Sequence, residues 1–116
     1  MARSTLRRAT RVKSKLDFDR NRKRGRGAGD NVLRITFVPN GLPVTRLGLA
    51  VPRRGTNVER NRIKRVIREA FRLKRRDLPV GFDLVVSPRD FERACAFEEV
   101  ARSFDGLTAK LPQGPR

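Results

Sequence analysis

The sequence predicts one small domain that mixes helices with β-structure. Three observations carry this. Three short segments alternate apolar and polar residues at the period of a strand, and two longer ones repeat apolar residues at the period of a helix. The length, 116 residues, holds one domain of ordinary size.

In chain order, the pattern first predicts a short helix over Lys15 to Lys23 that buries Leu16 or Phe18. Gly25, Gly27 and Gly29 end it and read as a flexible loop. Val32 to Val38 alternates as a strand with Leu33, Ile35 and Phe37 on one face, closed by Pro39, Asn40 and Gly41. Arg46 to Val51 places Leu47, Leu49 and Val51 on one face and the small Gly48 and Ala50 on the other. The short loop between these two strands predicts an antiparallel hairpin. A third strand is expected at Gly81 to Ser87, where Phe82, Leu84 and Val86 alternate with Asp83 and Val85 before Pro88. Phe97, Val100, Ala101, Phe104 and Leu107 follow helical spacing, with Gly106 as a weak point.

The helix after the second strand is the most informative segment. Thr56-Asn57-Val58-Glu59 reads as a capping box, in which hydroxyl and carboxylate satisfy the free amides of a helix start. Ile63, Val66, Ile67, Ala70 and Phe71 then fall within about 140° of arc, a width suited to packing on a sheet. The opposite face carries Asn61, Lys64, Arg65, Arg68, Arg72 and Arg75, with Arg62 flanking it. Solvated helix faces usually interleave signs, because opposite charges at i, i+4 contribute about 0.2 to 0.5 kcal/mol and like charges cost a similar amount. Here Lys64, Arg68 and Arg72 form a like-charge ladder, and only Arg65 with Glu69 offers a favourable pair of that spacing. Arginine forks grip phosphate oxygens with paired hydrogen bonds, so this face points to nucleic acid rather than to solvent alone.

Charge along the whole chain supports the same partner. The formal net charge is +17, from 29 Lys and Arg against 12 Asp and Glu. It is concentrated in residues 1–30 and 53–76, while the last forty residues are slightly acidic. Residues 1–14 read as a basic arm, 15–111 as one RNA-binding domain and 112–116 as a tail. There is no apolar run of membrane-spanning length and no secretory signal pattern, so a soluble cytoplasmic protein with no membrane partner and no small-molecule substrate is expected. One cysteine, Cys95, excludes an internal disulfide framework. With no His and no Tyr, and with Cys95 beside Ala94 and Ala96, the chain lacks the usual acid, base and activated nucleophile.

At ERNRIKRVIREAFR, residues 59–72, the sequence closely resembles the bacterial ribonuclease P protein family. The family's Arg-Asn-Arg helix with its following Lys-Arg and Arg-Glu corresponds to Arg60, Asn61, Arg62, Lys64, Arg65, Arg68 and Glu69. The similarity extends to RLGLAVPRR at 46–54, to LPVGFDLVVSPR at 78–89 and to DFDRNRKRG at 17–25, and so covers most of residues 15–107. It implies an α+β two-layer sandwich of order αβββαβα, with a mixed four-stranded sheet and a left-handed βαβ crossover. One strand more is implied than the pattern reading finds.

The resemblance also implies a role. In this family an RNA subunit, with magnesium, cleaves the 5′ leader from precursor tRNA, and the protein assists as a cofactor with no catalytic residue of its own. Ribonuclease P RNA and precursor tRNA are thus the implied partners, with Mg²⁺ held mainly by RNA. Carried over, Arg53, Arg54, Arg60, Asn61, Arg62, Lys64, Arg65, Arg68 and Arg72 would contact the catalytic RNA. Phe18, Arg22 and Ile35 would line the cleft for the leader. A ribosomal or other structured-RNA-binding protein of related fold is the alternative.

Overall fold

The computed structural model describes residues 11, 12 and 14–111. Seven elements follow in the order α1 (Lys15–Arg24), β1 (Arg26–Gly29), β2 (Leu33–Pro39), β3 (Arg46–Leu49), α2 (Asn57–Lys74), β4 (Phe82–Pro88) and α3 (Phe97–Thr108). Single 3₁₀ turns at Arg75–Asp77 and Arg93–Cys95 lead out of α2 and into α3. This is the α+β order αβββαβα.

Each boundary has a local cause. The Ser14 hydroxyl accepts from the amides of Leu16 and Asp17 and starts α1. At Gly25, a β-carbon would stand 2.3 Å from the Asn21 carbonyl oxygen, so α1 ends where only glycine fits. The Thr56 hydroxyl accepts from the Glu59 amide at 3.0 Å and starts α2 one residue later, as the capping box predicts. Only that half of the box forms, because the Glu59 carboxylate lies over Gly55 instead. Thr56→Ala is accordingly expected to cost about 1 kcal/mol, read as a lower denaturant midpoint with an unchanged slope.

The sheet departs from the pattern reading in two ways. The strand order is β1-β2-β4-β3, so β2 and β3 do not form a hairpin; β4 lies between them. It pairs antiparallel with β2, setting Ile35 opposite Val86 and Phe37 opposite Leu84. With β3 it pairs in parallel, setting Leu47 opposite Leu84. The physical reason is burial: Phe82, Leu84 and Val86 are buried on the core face and Asp83 on the other, as suits a central strand. The antiparallel partner of β2 in the chain is β1, the segment Arg-Gly-Ala-Gly, which the glycines disguised as a loop.

On one face of the sheet Leu33, Ile35, Phe37, Leu47, Leu84 and Val86 join Ile63, Val66, Ile67, Ala70 and Phe71 of α2 and Val100, Phe104 and Leu107 of α3 in one core. The apolar arc read from α2 is the set it buries. Phe71 and Phe104 meet edge to face at 6.3 Å. Leu16 stays exposed, leaving Phe18 as the half-buried apolar residue of α1. Residues 11 and 12 belong to the domain rather than to an arm, since Val12 is buried and its amide donates to the Leu47 carbonyl at 2.9 Å. The remaining readings for residues 1–10 and 112–116 lie outside the described residues.

Candidate nucleic-acid interface

Two surfaces remain after the core is formed: the outer face of α2, and the face of the sheet opposite the core. On α2 the charged residues divide into two groups. Arg60 is turned back on the preceding loop, its Nε donating to the Pro52 carbonyl at 3.0 Å and its Nη2 to that of Val51 at 3.4 Å. Arg62 reaches the other way and donates from Nε to the Cys95 carbonyl at 2.9 Å. These two arginines brace α2 against its neighbours. Glu69 pairs with Arg72 one turn on, and not with Arg65 as the i, i+4 spacing predicts. The bond to Arg72 lowers the Glu69 pKa.

Asn61, Lys64, Arg65 and Arg68 are left, and none of the three cations among them has an ion pair within the described residues. Lys64 and Arg68 line a cavity of about 230 Å³ with Arg11, Val12, Phe18, Leu47 and Leu49. Burial, and then the charge of Arg11, lower the Arg68 guanidinium from its ordinary value. Three cations converge here with no carboxylate, an arrangement that an incoming phosphate relieves. Arg54 is placed elsewhere, stacked on Phe91 at 4.8 Å beside the α2 N-terminus, with exposed Arg53 next to it in the chain.

The second surface begins with α1, which crosses the open face of the sheet. What holds it there is polar. Asp83 of β4 is fully buried, and its carboxylate accepts from Arg46 Nη2 at 2.7 Å and Nε at 2.8 Å, from Asn40 Nδ2 at 2.9 Å and from Arg20 Nη2 at 3.2 Å. Asn21 Nδ2 donates to the Asp83 carbonyl at 2.8 Å, and Asp17 takes a further N–H of Arg46 at 3.1 Å. Burial alone would raise the Asp83 pKa, but the hydrogen bonds from Arg46 and Asn40 and the charges of Arg46 and Arg20 hold it below the usual carboxylate range. Sequence reading missed this network, because alternation marks Asp83 as an ordinary solvent-facing position.

Beside α1 the sheet stays open. Strand register puts Gly27, Thr36, Val85 and Gly48 in one row across it, and Gly29, Arg34 and Ser87 in the next. Phe18 lies over Gly48, where a β-carbon would stand 2.9 Å from its ring. Arg22 follows one turn along α1, mostly exposed, with its Nη2 3.0 Å from Asp19. Ile35 is absent from this face: it is buried in the core, and Thr36 and Arg34 are the β2 residues on the open side. The alternation itself separates them, since Leu33, Ile35 and Phe37 form the more apolar and hence core-facing set.

Among the described residues, no three His, Cys, Asp or Glu groups converge on a point where a metal ion would sit. The carboxylates nearest the cleft, Asp17 and Asp83, are bound to arginines. The donor set therefore does not fit a magnesium ion held by these residues alone. Cys95 is half-buried against the core, and burial together with Glu59 pushes its thiol pKa up, away from reactivity. No helix among the described residues is long and apolar enough to cross a membrane.

A basic helix face and an open, small-residue sheet face beside one aromatic ring define a nucleic-acid-binding protein of the small α+β class. Similarity to known proteins gives that class a family. The family described as Ribonuclease P matches residues 6–112. A ribonuclease P protein component from Caldanaerobacter subterraneus is 33% identical over 104 residues, 89% of this chain and 90% of that protein. The ribonuclease P protein from Thermotoga maritima, solved with 1-(4-fluorophenyl)-2-thiourea, superposes with a TM-score of 0.81 at 34% identity, covering 88% of this chain and all of that one. The Staphylococcus aureus protein superposes at 0.76 with 27% identity, over 86% and 93% of the two chains. The chain belongs to the ribonuclease P protein family, and with it to the tRNA 5′-processing endoribonuclease as a subunit.

Proposed function

We propose that the α2 face binds the catalytic RNA of ribonuclease P, and that the cleft between α1 and the open sheet face receives the 5′ leader of precursor tRNA. The observation that carries the second part is the row of small residues Gly27, Thr36, Val85 and Gly48, with the Phe18 ring seated over its Gly48 end. A floor without large side chains admits an unpaired strand, and an aromatic ring at its border offers a stacking platform for a base. The cavity at Arg11, Lys64 and Arg68 opens on Phe18 as well, so the cleft and the basic face meet around the edge of β3. Magnesium, in this reading, is bound by the RNA subunit and the substrate. The protein contributes charge neutralisation and positioning.

Cleavage of precursor tRNA at low magnesium, with this protein alone, the catalytic RNA alone and the two combined, tests the reading. Activity is expected only in the mixture. A protein that fails to stimulate its own RNA refutes the subunit role. Within the holoenzyme, Phe18→Ala is expected to weaken binding of precursor tRNA by about 1 to 3 kcal/mol, the value of one base stacked on an aromatic. Mature tRNA, which has no leader, should bind as before, and an equal loss for both would refute the stacking role.

A further inference from the structure

Arg34 and Arg89 are used by neither the α2 face nor the α1 anchor, and both lie at the β1 end of the open sheet face. Arg34 follows Thr36 outward on β2 and is exposed. Arg89 directly follows β4, and its amide donates to the Val32 carbonyl at 2.8 Å. Their guanidinium groups lie on β1. A β-carbon on Gly27 would stand 3.2 Å from Arg34 Nη2, and one on Gly29 would stand 3.3 Å from Arg89 Nη2. The two forks therefore rest at alternate positions of one strand, where each residue contributes only hydrogen on that side.

Neither arginine has an ion pair among the described residues. Asp30, the carboxylate beside them in the β1–β2 turn, is occupied by Ser103 Oγ at 2.6 Å and by the amides of Val32 and Leu33. The arginines thus keep donors free for a ligand. Residues two apart on a strand are separated by about 6.8 Å, a spacing comparable to that of successive phosphates in an extended nucleic acid strand. Guanidinium forks at that spacing suit consecutive phosphates better than a single compact anion.

Direction follows from the opposite end. The cleft meets the cationic α2 face at β3, through Phe18, Lys64 and Arg68. A strand entering from the catalytic RNA on that side crosses the floor toward β1, turns along that edge strand and reaches Arg34 and Arg89 last. Resting on the cleft reading above, we propose that Arg34 and Arg89 form a phosphate shelf for the part of the leader farthest from the cleavage site, setting how much leader the protein senses.

The test is binding of the reconstituted holoenzyme to precursor tRNAs whose leaders are lengthened one nucleotide at a time. Wild-type affinity is expected to rise with length to a plateau, and Arg34→Ala with Arg89→Ala to reach its plateau at a shorter leader. For long leaders the double variant should also flatten the salt dependence by about 1.4, at roughly 0.7 per phosphate neutralised on a single strand. Gly27→Val keeps every charge but displaces the Arg34 guanidinium, and is expected to shorten the plateau in the same direction. A double variant with the wild-type plateau overturns the shelf and leaves the cleft intact. Equal losses for short and long leaders also overturn it, because they report overall charge. A wild-type holoenzyme with no dependence on leader length overturns the cleft and the shelf together.

Discussion

Replacing Asp83 with Ala is expected to destabilise the domain by about 3 to 5 kcal/mol, the effect of removing one partner from a buried ion pair. The loss is a large part of the stability of a domain this size. The carboxylate is fully buried, and its removal leaves the half-buried Arg46 guanidinium with only Asp17. Because Arg20 of α1 also binds the Asp83 carboxylate, the variant should loosen α1 and with it Phe18 on the sheet, leaving α1 the Asn21 bond to the main-chain carbonyl of residue 83. Urea unfolding of the full chain checks the first effect, and loss of preference for leader-bearing tRNA in the holoenzyme checks the second. The sign of the pH dependence follows from the lowered pKa. The stabilisation is present above the unfolded value of about 3.9 and is lost as pH falls through it toward the lower folded value. Asp83→Asn should flatten that acid loss. An acid transition unchanged by Asp83→Asn would assign it to another carboxylate.

The second large effect is on RNA. Arg65→Ala combined with Arg68→Ala is expected to weaken binding to the catalytic RNA and to reduce the salt slope by about two, near 0.9 for each phosphate no longer neutralised. Stability should change little, since neither side chain holds an ion pair among the described residues. Arg60→Ala provides the contrast. Its bonds to the Pro52 and Val51 carbonyls fix the loop before α2, so its loss should appear as a lower melting temperature as well as weaker binding. An unchanged salt slope in the double variant would show that these two side chains do not meet phosphates.

The elements whose side chains follow a period were legible in the sequence. The α2 core residues, its start at Thr56, the strand cores of β2 and β4, and Val100, Phe104 and Leu107 of α3 follow from 3.6- and 2-residue spacing, because burial selects apolar residues at that spacing; Phe97, which shares the α3 period, is exposed at the helix start. Of the α2 cations, Lys64 and Arg68 were legible for the complementary reason, as like charges with no partner at helical spacing, whereas Arg65 and Arg72 exchanged places because Glu69 pairs one turn on with Arg72. What escaped pattern reading lacks side chains or depends on partners distant in sequence. β1 offers two glycines and little strand propensity, and only pairing with β2 makes it a strand. The insertion of β4 between β2 and β3 leaves no local mark, so adjacency in the chain suggested a hairpin. Ile35 and Thr36 are neighbours in sequence on opposite faces of the sheet, and family likeness alone does not tell which of them faces the cleft. Asp83 looked exposed because its partners come from α1, β3 and the loop between β2 and β3.

That insertion also governs the order in which the protein can be made. During synthesis β2 and β3 leave the ribosome with no bond to each other, and α2 follows before the surface for its apolar face exists. Phe82 to Pro88 is the segment that closes the sheet, and it is translated after about seven tenths of the chain. Until then Ile63, Ile67 and Phe71 of the α2 segment have no complete sheet to cover them, and long-range pairing of this kind forms slowly. The basic surface is therefore complete as a sequence well before it is fixed in shape, and takes its folded geometry only when β4 arrives.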